Sequence, residues 1–120
     1  DMMTFHGVKS PALDIPLIEL ETPQGDLVDL YNDYHLQSVV LRGDQLTFGF
    51  ASVTAGTPTD VRFSGVRDLH VLQAKDWVPR EADQIDHLLI RPSGQRRRVT
   101  FKAGGLRYEF DCSMMTLVRS

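Results

Sequence analysis

The sequence predicts one mainly β domain: an antiparallel sandwich, a curled sheet or a half-open barrel of about six or seven strands. At most one short helix is expected, which leaves an α+β class open. Apolar residues alternate with polar ones over residues 36–50 and 106–118, the period of strands with one buried face. The length of 120 residues suits one domain, so we expect a single unit over 1–120.

The N-terminal third offers the weakest pattern, because prolines at positions 11, 16 and 23 interrupt each candidate helix. Residues 17–21 form a candidate short strand. Asp26 is a candidate N-cap for a short helix over 27–31, where apolar residues have the spacing of one or two helical turns.

Later residues predict strands joined by turns. A strand from His35 ends at Arg42-Gly43-Asp44, and a second strand over 46–50 completes a hairpin. Gly65 predicts a bulge between two further runs. The last run, 106–118, is expected to bury one face, and Met115 and Leu117 indicate burial on both faces at its end. Strands are also expected around 61–71, 85–90 and 99–101. The alternation places these side chains in the core: Leu46, Phe48, Phe50, Val61, Phe63, Val66, Leu69, Leu89, Phe101, Tyr108 and Phe110.

Composition narrows the possible partners and location. The chain is 42% hydrophobic and carries a net charge of −3, which argues against general nucleic-acid binding because that task needs a basic surface. We expect no membrane contact, since the apolar runs are short and no signal sequence is recognisable. The only cysteine, Cys112, cannot close an intramolecular disulfide, so a cytoplasmic location is expected.

Histidines and carboxylates raise the question of a catalytic or metal site. Asp33 with His35, and Asp68 with His70, have strand spacing that places both side chains on one face, where a carboxylate can orient an imidazole. The ligand spacings typical of zinc sites do not accompany them. We therefore expect no metal and no cofactor, and Arg42-Gly43-Asp44 is interpreted as a turn.

Enzymatic activity is not expected, although it stays open as an alternative. Nucleophile elbows and phosphate loops are not recognisable, and Cys112 lies in an alternating apolar row, where burial makes a thiol a poor nucleophile. The alternative is a small hydrolase, an isomerase or a small-ligand-binding domain. Its pocket would lie at the end of a sheet and use Asp33, His35, Asp68 and His70.

Charge is strongly segregated along the chain. Six acids and no Lys or Arg lie between Ser10 and Leu41, whereas six bases and no acid lie between Arg91 and Arg107. The two segments either pair within one molecule or steer a charged partner, which would be another protein or a second copy of this chain.

Seven residues are candidate partner-binding residues. The acidic face around Asp26, Asp29 and Asp33 is the favoured one. Trp77 is either a plug at the end of the sheet or an interface anchor. A second contact, or a solubilising tip, is expected at the residues Arg96, Arg97 and Arg98.

The order of several segments resembles a known group of bacterial proteins. These segments are 33–39 (DYHLQSV), 46–48 (LTF), 61–69 (VRFSGVRDL) and 108–112 (YEFDC). Together they resemble the small β-rich immunity proteins of bacterial polymorphic toxin systems and related domains, with the His and Asp of the first segment in rearranged order. The resemblance covers residues 33–118 and implies a stoichiometric inhibitor of a toxin that has no catalytic residues.

Overall fold

The alternating runs fold into strands, as the computed structural model shows for residues 3–73, 85–94 and 96–119. The mainly β, antiparallel architecture is confirmed, and no helix occurs in the described residues. The strands are β1 (Thr4–His6), β2 (Glu19–Glu21), β3 (Leu27–Asp29), β4 (Tyr34–Arg42), β5 (Gln45–Ser52), β6 (Thr59–Ser64), β7 (Arg67–Gln73), β8 (Ile85–Ser93), β9 (Arg96–Ala103), β10 (Leu106–Cys112) and β11 (Met114–Arg119).

The strands form three sheets. The five-stranded sheet has the order β1-β11-β6-β5-β4, the four-stranded sheet has the order β7-β10-β9-β8, and β2 pairs with β3 in an N-terminal hairpin. All of these pairs are antiparallel except β1 with β11, which are parallel. The described residues hold more strands than the six or seven expected, because the N-terminal third contributes three short strands and the last run is divided at Ser113.

Aromatic side chains from the two larger sheets meet in one core. Phe48 of β5 stacks on Phe101 of β9, with 4.1 Å between ring centroids and 7° between ring planes. The edge of Tyr108 also meets Phe48, and Phe63 contacts Phe110 at 4.9 Å. These contacts bridge the sheets, so the two larger sheets pack face to face as a sandwich.

Two corners carry the chain from one sheet to the other. Gly65 (φ +68°) lies between β6 and β7, and Ser113 lies between β10 and β11. The Ser113 amide donates to the Ser64 carbonyl at 3.0 Å, and the Val66 amide donates to the Asp44 carbonyl at 2.9 Å. The corners therefore lie against each other and hold the sheets in register.

Most of the expected core is buried, with differences where the register changes. Val66 and Leu69 are only partly buried, and Leu89 faces away while its neighbours Leu88 and Ile90 are buried. In the last run, the expected burial of Tyr108, Phe110 and Cys112 and of Met115 and Leu117 is confirmed, but the first face is only partly buried beyond Cys112. Ser113 shifts the alternation by one residue, so the side chains buried after it are Met115 and Leu117.

The helix expected over 27–31 is wrong as well. Residues 27–29 form β3, whose Val28 lies opposite Leu20 of β2, with both side chains buried. The strand expected over 17–21 is confirmed in part by β2. Pairing with β2 supplies backbone partners that outweigh the weak helical spacing. The described residues also contain no helix with the length and apolar character that a membrane span would need.

Candidate functional site

Residues 13–33 begin along the outer edge of the four-stranded sheet and end beside β5, where the Val53 amide donates to the Asp33 carbonyl at 3.0 Å. The Asp14 amide donates to the Ile90 carbonyl at 2.8 Å. Leu17 and Leu88 exchange two backbone hydrogen bonds of 2.8 Å. The first residues of the segment thus cover the β8 edge, and the buried side chains of Leu20, Val28 and Leu30 anchor the rest to the core. The exposed side chains of this segment therefore project from backbone that is held in place.

The N-terminal hairpin turns one face outward. Glu19 lies opposite Asp29, and Glu21 lies opposite Leu27, on the face away from the buried Leu20 and Val28. The Lys9 ammonium pairs with the Glu21 carboxylate at 2.8 Å, with both side chains largely exposed. This outward face is mainly acidic and has Leu27 in the pair next to the turn.

Asp29 has a structural task. Its carboxylate accepts hydrogen bonds from the amides of Tyr31 and Asn32, at 3.0 and 2.9 Å, and from the Asn32 side chain at 2.8 Å. Partial burial acts to raise the pKa of Asp29, but these hydrogen bonds outweigh it and the pKa lies below its usual value. Of the three acids expected to bind a partner, Asp26 and Asp33 are exposed and Asp29 holds the turn before β4.

Large apolar side chains accompany these acids on the surface. Leu27 is 63% exposed, Ile15 is 51% exposed, and Leu13, Ile18 and Tyr31 are also exposed. The acids interleaved with them are Asp14, Glu19, Glu21, Asp26, Asp29 and Asp33. We call the exposed side chains of residues 13–33 the acidic apolar surface. It holds five of the ten exposed large apolar residues in the described chain.

Basic residues of the C-terminal segment are engaged within their own sheet. Arg98 pairs with Asp111 at 3.0 Å, Lys102 with Asp86 at 3.0 Å and Arg107 with Glu109 at 3.2 Å. These three pairs join bases to acids on the same or neighbouring strands of the four-stranded sheet, and none of these acids belongs to residues 13–33.

The three consecutive arginines open strand β9 and are half-buried. A guanidinium nitrogen of Arg96 donates to the Gly65 carbonyl at the corner between the sheets. Arg97 donates to the Arg96 carbonyl at 3.3 Å. Arg96 and Arg97 therefore make hydrogen bonds within the fold. Trp77, the remaining candidate, lies outside the described residues.

The aspartate–histidine pairs are distributed over both sheets. His35 lies on β4, at one edge of the five-stranded sheet, and His70 lies on β7, at one edge of the four-stranded sheet, opposite Glu109. Asp68 has φ +54° within β7. In residues 3–73, 85–94 and 96–119, no three His, Cys, Asp or Glu side chains are placed to hold a metal ion.

Cys112 is fully buried in the core. Burial raises the pKa of its thiol to about 12, against a partial lowering by the nearby Arg96 charge. A thiol with such a pKa is protonated at neutral pH and is a poor nucleophile.

A cavity of about 260 Å³ lies on the outer face of the five-stranded sheet, and sequence reasoning missed it. We call it the polar basin. Its lining comes from three adjacent strands, β4, β5 and β6, and consists of Ser38, Val40, Arg42, Gln45, Thr47, Asp60 and Arg62. The only signal in the sequence was that these residues alternate with the core residues of their strands.

Register brings the lining of the basin together in three rungs. Arg42 lies opposite Gln45, and the next rung runs from Val40 through Thr47 to Arg62. The third rung runs from Ser38 through Gly49 to Asp60. A bulge in β4 between Leu36 and Ser38 sets which of its residues face outward.

Comparisons of this chain with protein-family models, with curated proteins and with solved structures found no match.

The described surface therefore offers two kinds of chemistry. The acidic apolar surface suits contact with a macromolecule, because it is broad and combines apolar side chains with surrounding charge. The polar basin is concave and presents guanidinium, amide, hydroxyl and carboxylate groups, which suits a small polar molecule.

Proposed function

We propose that this chain is a non-catalytic protein-binding domain whose acidic apolar surface holds a basic protein partner. The observation that supports this function is the concentration of exposed apolar side chains among acids in residues 13–33. Apolar side chains at the centre of an interface supply most of the binding free energy once they are desolvated. Charges around them accelerate association and select the partner.

The anchoring of the segment adds to this support. Backbone hydrogen bonds to β8 and the buried Leu20, Val28 and Leu30 hold the surface in place before a partner arrives. A preformed surface loses less conformational entropy on binding than a flexible one. Leu27, the most exposed of the apolar residues, is the expected anchor.

An immunity-type role is the finer form of this proposal. The domain would then bind and inhibit a bacterial toxin in the cytoplasm, and a toxin that acts on nucleic acid would bring the basic surface that the acids require. The resemblance of residues 33–118 to immunity proteins supports this form, and the free Cys112 is compatible with it.

The proposal is tested by capture followed by a binding measurement. Proteins retained from source cells by the immobilised chain are identified, purified and titrated against the wild type and the variants. The double variant Ile15→Ser/Leu27→Ser should weaken binding by at least about 30-fold, which corresponds to about 2 kcal/mol. Glu19→Lys/Asp26→Lys should slow association and reduce its dependence on salt.

The matched control is Leu41→Ser/Val71→Ser, which removes two apolar side chains of similar exposure, 52% and 49%, from other strands. This control should bind as the wild type does. Equal losses in both double variants, or full binding by Ile15→Ser/Leu27→Ser, would contradict the proposed surface. For the finer form, co-expression of the chain must suppress the activity of the captured toxin.

A further inference from the structure

We infer that the polar basin binds a small zwitterion, a molecule the size of a free amino acid with a carboxylate at one end and an ammonium group at the other. This site goes beyond the proposed function and is lined by β4, β5 and β6, which contribute no residue to the acidic apolar surface. Its volume of about 260 Å³ lies below the range of about 300–1,000 Å³ typical of pockets for drug-sized ligands.

Gly49 lies beneath the Ser38 and Asp60 side chains that line the basin. An added Cβ at this position would lie 2.5 Å from the Ser38 hydroxyl oxygen and 3.4 Å from a carboxylate oxygen of Asp60. Gly49 does not have a positive φ, so its missing side chain, and not backbone freedom, is what lets the Ser38 hydroxyl lie close over this strand. Glycine inside a strand lowers stability by about 0.5–1 kcal/mol and often marks the close approach of a ligand.

Arg62 supplies an unsatisfied donor. Its side chain is half-buried, and its Nε is buried without a hydrogen-bond partner. Nε of Arg91 and of Arg96 is likewise unsatisfied, but those two guanidinium groups donate through Nη2 to Thr100 and to the Gly65 carbonyl. Arg62 makes no such bond within the part of the chain that the structure describes. A ligand carboxylate in the basin would accept from the guanidinium group of Arg62, in the bidentate geometry that arginine favours.

The basin has opposite charges at its two ends. Arg42 lies on the first rung, Arg62 on the middle rung and Asp60 on the last. Successive rungs are two residues apart, or roughly 7 Å along the strands. A carboxylate between Arg42 and Arg62 would place an ammonium group towards Asp60, whose carboxylate and the neighbouring Ser38 hydroxyl can accept from it. Both charges of the ligand are thereby matched, whereas a simple anion would face Asp60 unpaired.

The test is a titration of the 15N-labelled full chain by NMR with L-serine, with acetate and with ethylammonium. L-serine should produce saturable shifts at the amides of Thr47, Gly49 and Arg62. It should bind at least about tenfold more tightly than either single-charge probe, a difference of about 1.4 kcal/mol. Arg62→Gln should abolish binding of both L-serine and acetate. Asp60→Asn should weaken L-serine and leave acetate unchanged or tighter.

Arg107→Gln on the four-stranded sheet is the matched control and should bind as the wild type does. Gly49→Ala should displace the Ser38 hydroxyl and weaken binding of L-serine, and its spectrum shows whether the fold is kept. The proposal is overturned if L-serine gives no saturable shift, if the shifts lie elsewhere, or if acetate binds as tightly as L-serine. None of these readouts depends on a protein partner, so failure here is distinguishable from failure of the proposed function.

Discussion

Some polar side chains of this protein are fully engaged within the fold, whereas others have atoms without a partner among the described residues. Asp29 and Cys112 both have shifted pKa values, but hydrogen bonds within one turn hold the carboxylate of Asp29, and the core encloses the thiol of Cys112. Arg62 is the contrasting case, because its buried Nε has no partner. At the scale of the residue, function is therefore sought where a polar group is unsatisfied or an apolar group is exposed.

Because the Cys112 thiol is buried, the free energy of unfolding is expected to fall as the pH becomes alkaline. Its pKa is about 12 in the fold against an ordinary value of 9.0, so the unfolded chain loses this proton first as pH rises. The contribution is fully present below the unfolded pKa and is lost as pH rises above it, by up to about 1.4 kcal/mol per pH unit.

Urea unfolding of the wild type and of Cys112→Ala, measured from neutral pH upward, isolates this effect from other titrating groups. The wild type should lose stability more steeply above pH 9.0, the unfolded thiol's pKa. Parallel pH profiles for the two proteins would contradict the assignment. Native Cys112 should also resist alkylation until the chain unfolds.

Two corners each join a strand of one large sheet to a strand of the other. β6 and β7 belong to different sheets, as do β10 and β11, and the two corners contact each other through Ser64, Gly65 and Ser113. A change at one corner is therefore felt by four strands.

Substitution of Gly65 separates backbone strain from crowding at this corner. Gly65→Ala and Gly43→Ala both force alanine into positive φ, which costs about 1–2 kcal/mol. A Cβ at Gly43 meets nothing within 4 Å, whereas at Gly65 it overlaps the Ser113 hydroxyl and lies 3.2 Å from the Ser113 Cβ. Gly65→Ala should therefore lose about 1–3 kcal/mol more than Gly43→Ala.

Denaturant unfolding of both variants, together with Ser113→Ala and the double variant Gly65→Ala/Ser113→Ala, measures the contact directly. The double variant should recover part of the excess loss, because the hydroxyl that overlaps is gone. Equal losses for the two glycine variants would show that the corner is not crowded.

The whole molecule is held together by one core that both larger sheets share. The stack of Phe48 on Phe101 joins the sheets at its centre, and Phe63 and Tyr108 meet Phe48 edge-on. Neither sheet can bury its apolar face alone, so we expect the described sheets to unfold as one cooperative unit.

Phe48→Ala tests whether the two larger sheets unfold cooperatively. Loss of a fully buried ring should lower the free energy of unfolding by about 3–5 kcal/mol. Amide hydrogen exchange should accelerate together in β5 and in β9, which lie in different sheets. Val40→Ala, at a half-exposed position, should change stability by less than about 0.5 kcal/mol. Faster exchange confined to the five-stranded sheet would contradict a shared core.

The charges of the acidic and basic segments are also engaged differently in the folded molecule. Segregation along the sequence raised the alternative that the acidic and basic segments pair with each other. The described pairs of the basic segment instead use Asp86, Glu109 and Asp111, which are neighbours within one sheet. Residues 13–33 thus keep several exposed acids beside their apolar side chains.

The sequence by itself determined that this is a mainly β protein and which aromatic residues form its centre. Alternation alone was enough to place Phe48, Phe63, Phe101 and Phe110 in the core, because a strand buries every second side chain. It also predicted the hairpin turn at Gly43, since turn residues act locally.

Only the tertiary structure decided the phase of that alternation and the composition of the exposed sites. The bulges at Gln37 and Asp86 and the interruption at Ser113 each shift the period by one residue, and pairing with β2 made a strand of residues 27–29. Likewise, Arg42, Asp60 and Arg62 share a basin only because the register of β4, β5 and β6 aligns them. Register depends on contacts between residues distant in sequence, and a local pattern does not contain them.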